Sequence, residues 1–273
     1  MSSPQRWLER LTWPEVAEQL QQEGATVVWP FGALEQHGPH LPLSTDALFA
    51  DRMLDQILAG LPPDAPIWRL PVQAIGFSPE HVGFPGTLSL PSDLLIRLVE
   101  TVGLQLADLG VRRLVLFNAH GGQIGLLQAA ARELRAQTPT MAVLPCFLWS
   151  GVPGLKELLP LPEGDSGLHA GLAETSLMLA LEPSLVRDQR PVDGEHRHPS
   201  AAATPPDGWS LEGAAPFAWL TADLSRTGVV GDSRGASVEL GRQLEKTVVD
   251  HWQHLFLSLL ASAWPPVNSV LSS

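Results

Sequence analysis

Residues 25–34 read Ala25-Thr26-Val27-Val28-Trp29-Pro30-Phe31-Gly32-Ala33-Leu34 and run straight into Glu35-Gln36-His37-Gly38. A short apolar, β-branched run that stops at glycine is the pattern of a strand buried on both faces, as in a parallel sheet. The strand is expected to end near Leu34, leaving Glu35 and His37 in the loop at its carboxyl end. Outward from it the same unit recurs. Ser44 or Thr45 can cap a helix with apolar Leu48, Phe49, Met53, Ile57 and Leu58 on one face, which puts Asp46 in its first turn. A second strand is expected over 67–75, a helix from Ser92 to about Gly110, a strand over 112–118 and a helix to about Ala136. A strand over 141–148, a helix over 172–181 and a long helix from about Arg234 to Ser262 complete the pattern. Such alternation predicts an α/β fold with a mainly parallel central β-sheet and helices on both faces. No composition shift divides the chain, so residues 1–273 read as one domain, with a surface excursion at about 188–216.

Composition narrows the function. The net charge of −12 opposes the counterion release that drives binding to nucleic acid or anionic lipid, so neither partner is expected. The most apolar stretch, 255–264, is about half of the ~20 residues a membrane helix needs. One cysteine, Cys146, cannot form an internal disulfide and reads as a small buried hydrophobe. With no secretory h-region in the first residues, the expected compartment is the cytoplasm. Dinucleotide, P-loop and serine-hydrolase fingerprints are all missing.

In open parallel sheets ligands gather at the carboxyl ends of strands. Three polar clusters fall there: Glu35 and His37 with Asp46, then Asn118-Ala119-His120-Gly121-Gly122, then His169-Ala170-Gly171 with Glu174. Taken singly, each has an ordinary reading as a hydrogen-bonded loop or an exposed helix flank. Together they offer imidazoles and carboxylates suited to zinc, manganese or iron rather than to a thiolate-bound structural metal. Ser78, Glu80 and His81 line a Gly/Pro loop that serves either a substrate pocket or a turn, and Trp149 follows a strand where it could wall that pocket. His196 and His198 read as solvated loop residues.

From about Trp13 to Leu244 the chain resembles the creatininase family, the metal-dependent creatinine amidohydrolases and their relatives. The resemblance rests on 30–43 (PFGALEQHGPHLPL) with Asp46, 84–90 (FPGTLSL), Asn118-Ala119-His120-Gly121-Gly122, His169-Ala170-Gly171 through Ser176, and Gly228-Val229-Val230-Gly231-Asp232. It implies two divalent metal ions: Glu35 and His120 on one, His37 and Glu174 on the other, and Asp46 between them. It implies hydrolysis of a non-activated amide C–N bond in a cyclic amide, formamide or short peptide, with a formamide of a pterin- or flavin-like intermediate as one alternative. His169 and Glu174 are then the catalytic candidates, His169 to protonate the leaving nitrogen. Ser78, His81, Gly121 and Trp149 are the substrate-binding candidates. Creatininase carries an aromatic residue and a glutamate ligand directly after the motif histidine, where this chain has Gly121 and Gly122. Both departures point away from creatinine as the substrate. A homo-oligomer, with a hexamer as the candidate form, also follows from the resemblance. A non-catalytic scaffold that had kept the fold would be expected to lose ligands, yet Glu35, His37, Asp46, His120 and Glu174 are all present.

Overall fold

The computed structural model describes residues 6–161, 163–194, 207–211 and 214–265. Four strands, β1 (Thr26–Phe31), β2 (Ile67–Arg69), β3 (Arg113–Asn118) and β4 (Ala142–Phe147), form one parallel sheet in the order β2-β1-β3-β4. A helix α1 (Trp13–Leu20) precedes it, and α2 (Thr45–Ala59), α3 (Ser92–Asp108) and α4 (Ile124–Gln137) connect its strands. After β4 come α5 (Glu163–Ser166), α6 (Leu172–Leu181), a short strand β5 (Val192–Asp193), α7 (Thr221–Leu224), β6 (Gly231–Asp232) and α8 (Val238–Ala261).

Every residue of β1 and β3 is buried, which is why these strands read as continuous apolar runs rather than as alternating ones. Alternate side chains feed two cores. Val27, Trp29, Phe31, Leu114 and Leu116 pack with Leu95 and Val99 of α3 and Leu127 and Leu134 of α4. Val28, Val115 and Phe117 pack with Phe49 of α2, Leu177 and Met178 of α6, and Leu244 and Trp252 of α8. The chain leaves β1 for β2 on one side and then crosses to build β3 and β4 on the other. Strand order therefore reverses between β1 and β3, and the crevice beyond their carboxyl ends is the place where open sheets hold ligands.

The strands are shorter than their apolar runs. β1 stops at Phe31, because Gly32 begins the turn toward α2. β2 stops at Arg69, well before residue 75, and Pro71 follows two residues later. Leu70 and Gln73 on either side of it still donate to Val28 and Pro30 carbonyls at 2.9 Å. The last helix begins at Val238, where the Ser237 hydroxyl accepts from the Leu240 N–H at 3.1 Å. Most of the expected excursion, including His196 and His198, lies outside the described residues; its first part forms β5, which pairs antiparallel with β6. Cys146 is half-buried beside the core, and burial pushes its thiol up to about 11.

Candidate metal centre

Gly32 explains how the first cluster assembles. A Cβ there would lie 2.4 Å from the Ala47 backbone, so only glycine lets the end of β1 meet the start of α2. The loop between them folds back, with the Glu35 N–H donating to the Leu43 carbonyl at 3.0 Å. Asp46 is thereby brought beside His37, with Nε2 to Oδ1 at 3.3 Å. From β3, Asn118 holds the next turn: its Oδ1 accepts from the His120 N–H at 2.9 Å. That presents His120 Nδ1 3.3 Å from Glu35 Oε1 and 3.1 Å from Asp46 Oδ2. His169 pairs backbone to backbone with Val230, and Ala170 after it takes the left-handed conformation, φ 53°. This strained residue turns the chain into α6, and its N–H donates to Glu174 Oε2 at 2.6 Å. Donor atoms of His37, Asp46 and Glu174 lie within 4.8 Å of one another, as do those of Glu35, His37 and His169 and those of Glu35, Glu80 and His120.

Hydrogen bonds on the far side of each ring fix which nitrogen faces inward. His37 Nδ1–H donates to the Glu35 carbonyl at 3.2 Å, and His120 Nε2–H donates to the Phe77 carbonyl at 3.0 Å. Both are the backbone partners that orient metal-ligating imidazoles, and both leave the opposite nitrogen with a lone pair toward the carboxylates. His169 Nε2–H donates to the Gln36 carbonyl at 2.8 Å, which leaves its Nδ1 3.9 Å from Glu35 Oε1. Gln36 then has its amide protons for His81 Nδ1, 2.8 Å away, and the Gly228 carbonyl, 2.9 Å away. His81 accepts there, which leaves its Nε2 3.2 Å from Glu35 Oε1 in a geometry that makes no hydrogen bond.

Glu35, His37, Asp46 and His120 are buried, and desolvated charge is costly unless it is compensated. Yet both Glu35 oxygens, His37 Nε2 and Asp46 Oδ2 have no hydrogen-bond partner. Four unpartnered nitrogen and oxygen atoms in one buried cluster fit divalent cations, and the mixed imidazole and carboxylate set is that of zinc, manganese or iron rather than calcium. The protonation pattern without an ion shows the same demand. Burial opposes charge on His37, but Asp46, Glu174 and Glu35 outweigh it and raise its pKa to about 9. Burial likewise works against His120, and Glu35 and Asp46 raise it well above the usual range. Burial, together with Asp46 and Glu35, lifts the Glu174 carboxyl to about 7 against the pull of His37. Burial and the neighbouring His37 and His81 push His169 well below the ordinary histidine range, so it is neutral near pH 7.

The five residues expected as ligands thus converge, and His169 stacks between His37 and His81 with ring centroids 4.3 Å from each. Of the substrate-binding candidates, His81 stands inside the cluster and Ser78 is buried behind His120, its Oγ 3.4 Å from Nε2. Gly121 is exposed, with no atom within 4 Å of where a Cβ would stand. Trp149 packs edge-on to Phe49 with centroids 5.9 Å apart, in core packing rather than in the donor cluster. Gln36 was missed by the sequence reading, although it stands inside the Glu35–His37 motif. Glu80 was read only as loop or pocket lining, with no periodicity to mark it.

The family model described as creatinine amidohydrolase matches residues 9–256. A mycofactocin precursor peptide peptidase of Mycobacterium tuberculosis is 35% identical over 248 residues, covering 86% of this chain and 85% of the relative. A creatinine amidohydrolase of Pseudomonas putida is 35% identical over 217 residues, covering 75% and 81%. Among solved structures, one described as creatininase with manganese superposes with a TM-score of 0.76 at 28% identity, covering 94% of this chain and 100% of that one.

Proposed function

The chain belongs to the creatininase family of amide-bond hydrolases, and from that premise we propose that it is a two-metal hydrolase that cleaves a peptide bond in a short peptide. The observation that carries the metal reading is the convergence of unpartnered buried atoms on Glu35, His37 and Asp46. Glu35 and His120 would hold one ion, His37 and Glu174 the other, and Asp46, with one oxygen toward each imidazole, would serve both. When bound, such ions supply Lewis acidity, which polarises an amide carbonyl and acidifies water.

The protein's own task is proton management and positioning. An amide expels its nitrogen only when that nitrogen is protonated. Neutral His169, with Nε2–H fixed on the Gln36 carbonyl, has Nδ1 free to accept a proton from the attacking water and return it to the leaving nitrogen. Glu174, beside His37 and Asp46, is the remaining catalytic candidate.

A peptide is favoured over creatinine by Gly121. The open space beside it gives room for a longer chain where creatininase carries an aromatic side chain, and the similarity to the precursor-peptide peptidase agrees with this. Of the substrate-contact candidates, His81 and Gly121 carry this proposal, while Ser78 lies behind His120 and Trp149 packs on Phe49. The homo-oligomer, with the hexamer as its candidate form, and the cytoplasmic compartment belong to the same reading. The single cysteine supports the compartment, and among the described residues no helix is long and apolar enough to cross a membrane. Sedimentation measures the oligomer. Protein loaded with manganese, zinc or iron is expected to cleave members of a short-peptide panel and to leave creatinine intact. Turnover of creatinine with no peptide cleaved would refute the substrate assignment.

A further inference from the structure

Glu80 belongs to a Gly/Pro loop remote in sequence from every ligand above, yet its Oε1 lies 3.3 Å from His120 Nε2 and 3.9 Å from His81 Nε2. It also stands where another segment could have supplied a side chain. A Cβ built on Gly122 would fall 1.8 Å from Glu80 Oε1 and 2.7 Å from His120 Nε2. The volume beside the back of the His120 ring is therefore shared between two positions, and this chain fills it from residue 80. Gly122 has no left-handed backbone angle that would demand glycine. What glycine provides here is room for the Glu80 carboxylate.

We propose that Glu80 is a positioning residue of the metal centre: its carboxylate draws on the Nε2–H of His120 and holds that imidazole with Nδ1 aimed at the ion shared with Glu35. The Phe77 carbonyl already accepts from Nε2 at 3.0 Å, and Glu80 adds a charged acceptor on the same side of the ring. A carboxylate behind a ligating histidine fixes the ring and raises the basicity of its inward nitrogen. The proposal rests on the metal reading of the site.

Binding of manganese to the metal-free protein, followed by calorimetry and by metal content after gel filtration, tests it without reference to turnover. Wild type is expected to bind two ions. Glu80→Ala is expected to bind one of them about 10–100-fold more weakly and the other as before. Glu80→Gln, whose amide oxygen still accepts from Nε2–H, should fall between the two and serves as the measure if the alanine variant folds poorly. Gly122→Ala, which displaces the Glu80 carboxylate, should weaken the same ion. Unchanged affinity in all three variants overturns the proposal. Outright loss of one ion from Glu80→Gln also overturns it, because the carboxylate would then be a ligand rather than a support. Wild-type protein that binds no ion defeats the metal reading itself, and with it the role of Glu80.

Discussion

Two buried polar clusters flank β1, and they are built on opposite logic. At the β2 side, Arg69 is fully buried, and each of its nitrogens has a partner within the chain. Nη2 donates to Asp51 Oδ1 at 2.5 Å, Nη1 to Asp55 Oδ1 at 2.6 Å, and Nε to the Leu70 carbonyl at 3.3 Å, while the guanidinium lies 4.3 Å over the Trp7 ring. At the carboxyl ends of β1 and β3, Glu35, His37, Asp46 and His120 are equally enclosed, and Glu35, His37 and Asp46 leave four atoms without hydrogen bonds. A cluster that serves structure neutralises itself. One proposed to hold ions leaves atoms without protein partners.

The sharpest break of this contrast is to remove one member from each cluster. His120→Ala should lower amide hydrolysis by ~10³-fold or more, a barrier increase of about 4 kcal/mol, while melting within a few degrees of metal-free wild type. Wild-type turnover in this variant would remove His120 from the centre. Arg69→Met leaves Asp51 and Asp55 without their cation and should cost about 3–5 kcal/mol in urea unfolding. Its folded fraction should keep the wild-type metal content, and a loss of metal would mean that the two clusters are not independent.

A chelator separates the clusters by linkage. Stripping ions held at 100 times their dissociation constant should lower stability by about 2.7 kcal/mol for each ion, about 5.4 kcal/mol for the two, in wild type and Arg69→Met alike. Asp46→Asn, missing the carboxylate between the two ions, should respond far less to the chelator when thermal unfolding is followed.

Asp193 gives the smallest effect and belongs to the self-sufficient kind. Burial opposes its charge, but N–H groups of Arg226, Thr227 and Gly194 and the Thr227 hydroxyl, at 2.9–3.0 Å, outweigh it and lower its pKa. A carboxylate with a lowered pKa stabilises the fold above its unfolded pKa of about 3.9, and that contribution is lost as pH falls through the folded value. Asp193→Asn should therefore cost about 1–2 kcal/mol at pH 7, with the gap to wild type closing below about pH 4. A gap that widens in acid would reverse the assignment.

What was legible in advance follows from how far each signal reaches along the chain. The buried run of β1 and the amphipathic start of α2 are local patterns, and they predicted both the parallel sheet and the meeting of Glu35, His37 and Asp46. β2 ends at Arg69 against its apolar composition: Leu70 and Gln73 still donate to β1, but their three-residue spacing breaks the regular ladder, which no apolar pattern encodes. The two-residue strands β5 and β6 are too short to leave a period. Glu80 and His81 reach the centre through a glycine- and proline-rich loop whose path no periodicity encodes. Gln36 alternates away from Glu35 and His37 in an extended reading, yet the folded-back loop turns it into the link between His81 and Gly228.

Anomalous diffraction from crystals of the manganese- or zinc-loaded protein, recorded at the metal's absorption edge, bears most directly on the incomplete cluster. Two peaks are expected, one among Glu35, Asp46 and His120 and one among Asp46, His37 and Glu174. A map with no peak at these side chains, from protein shown to be folded and loaded, would contradict the account.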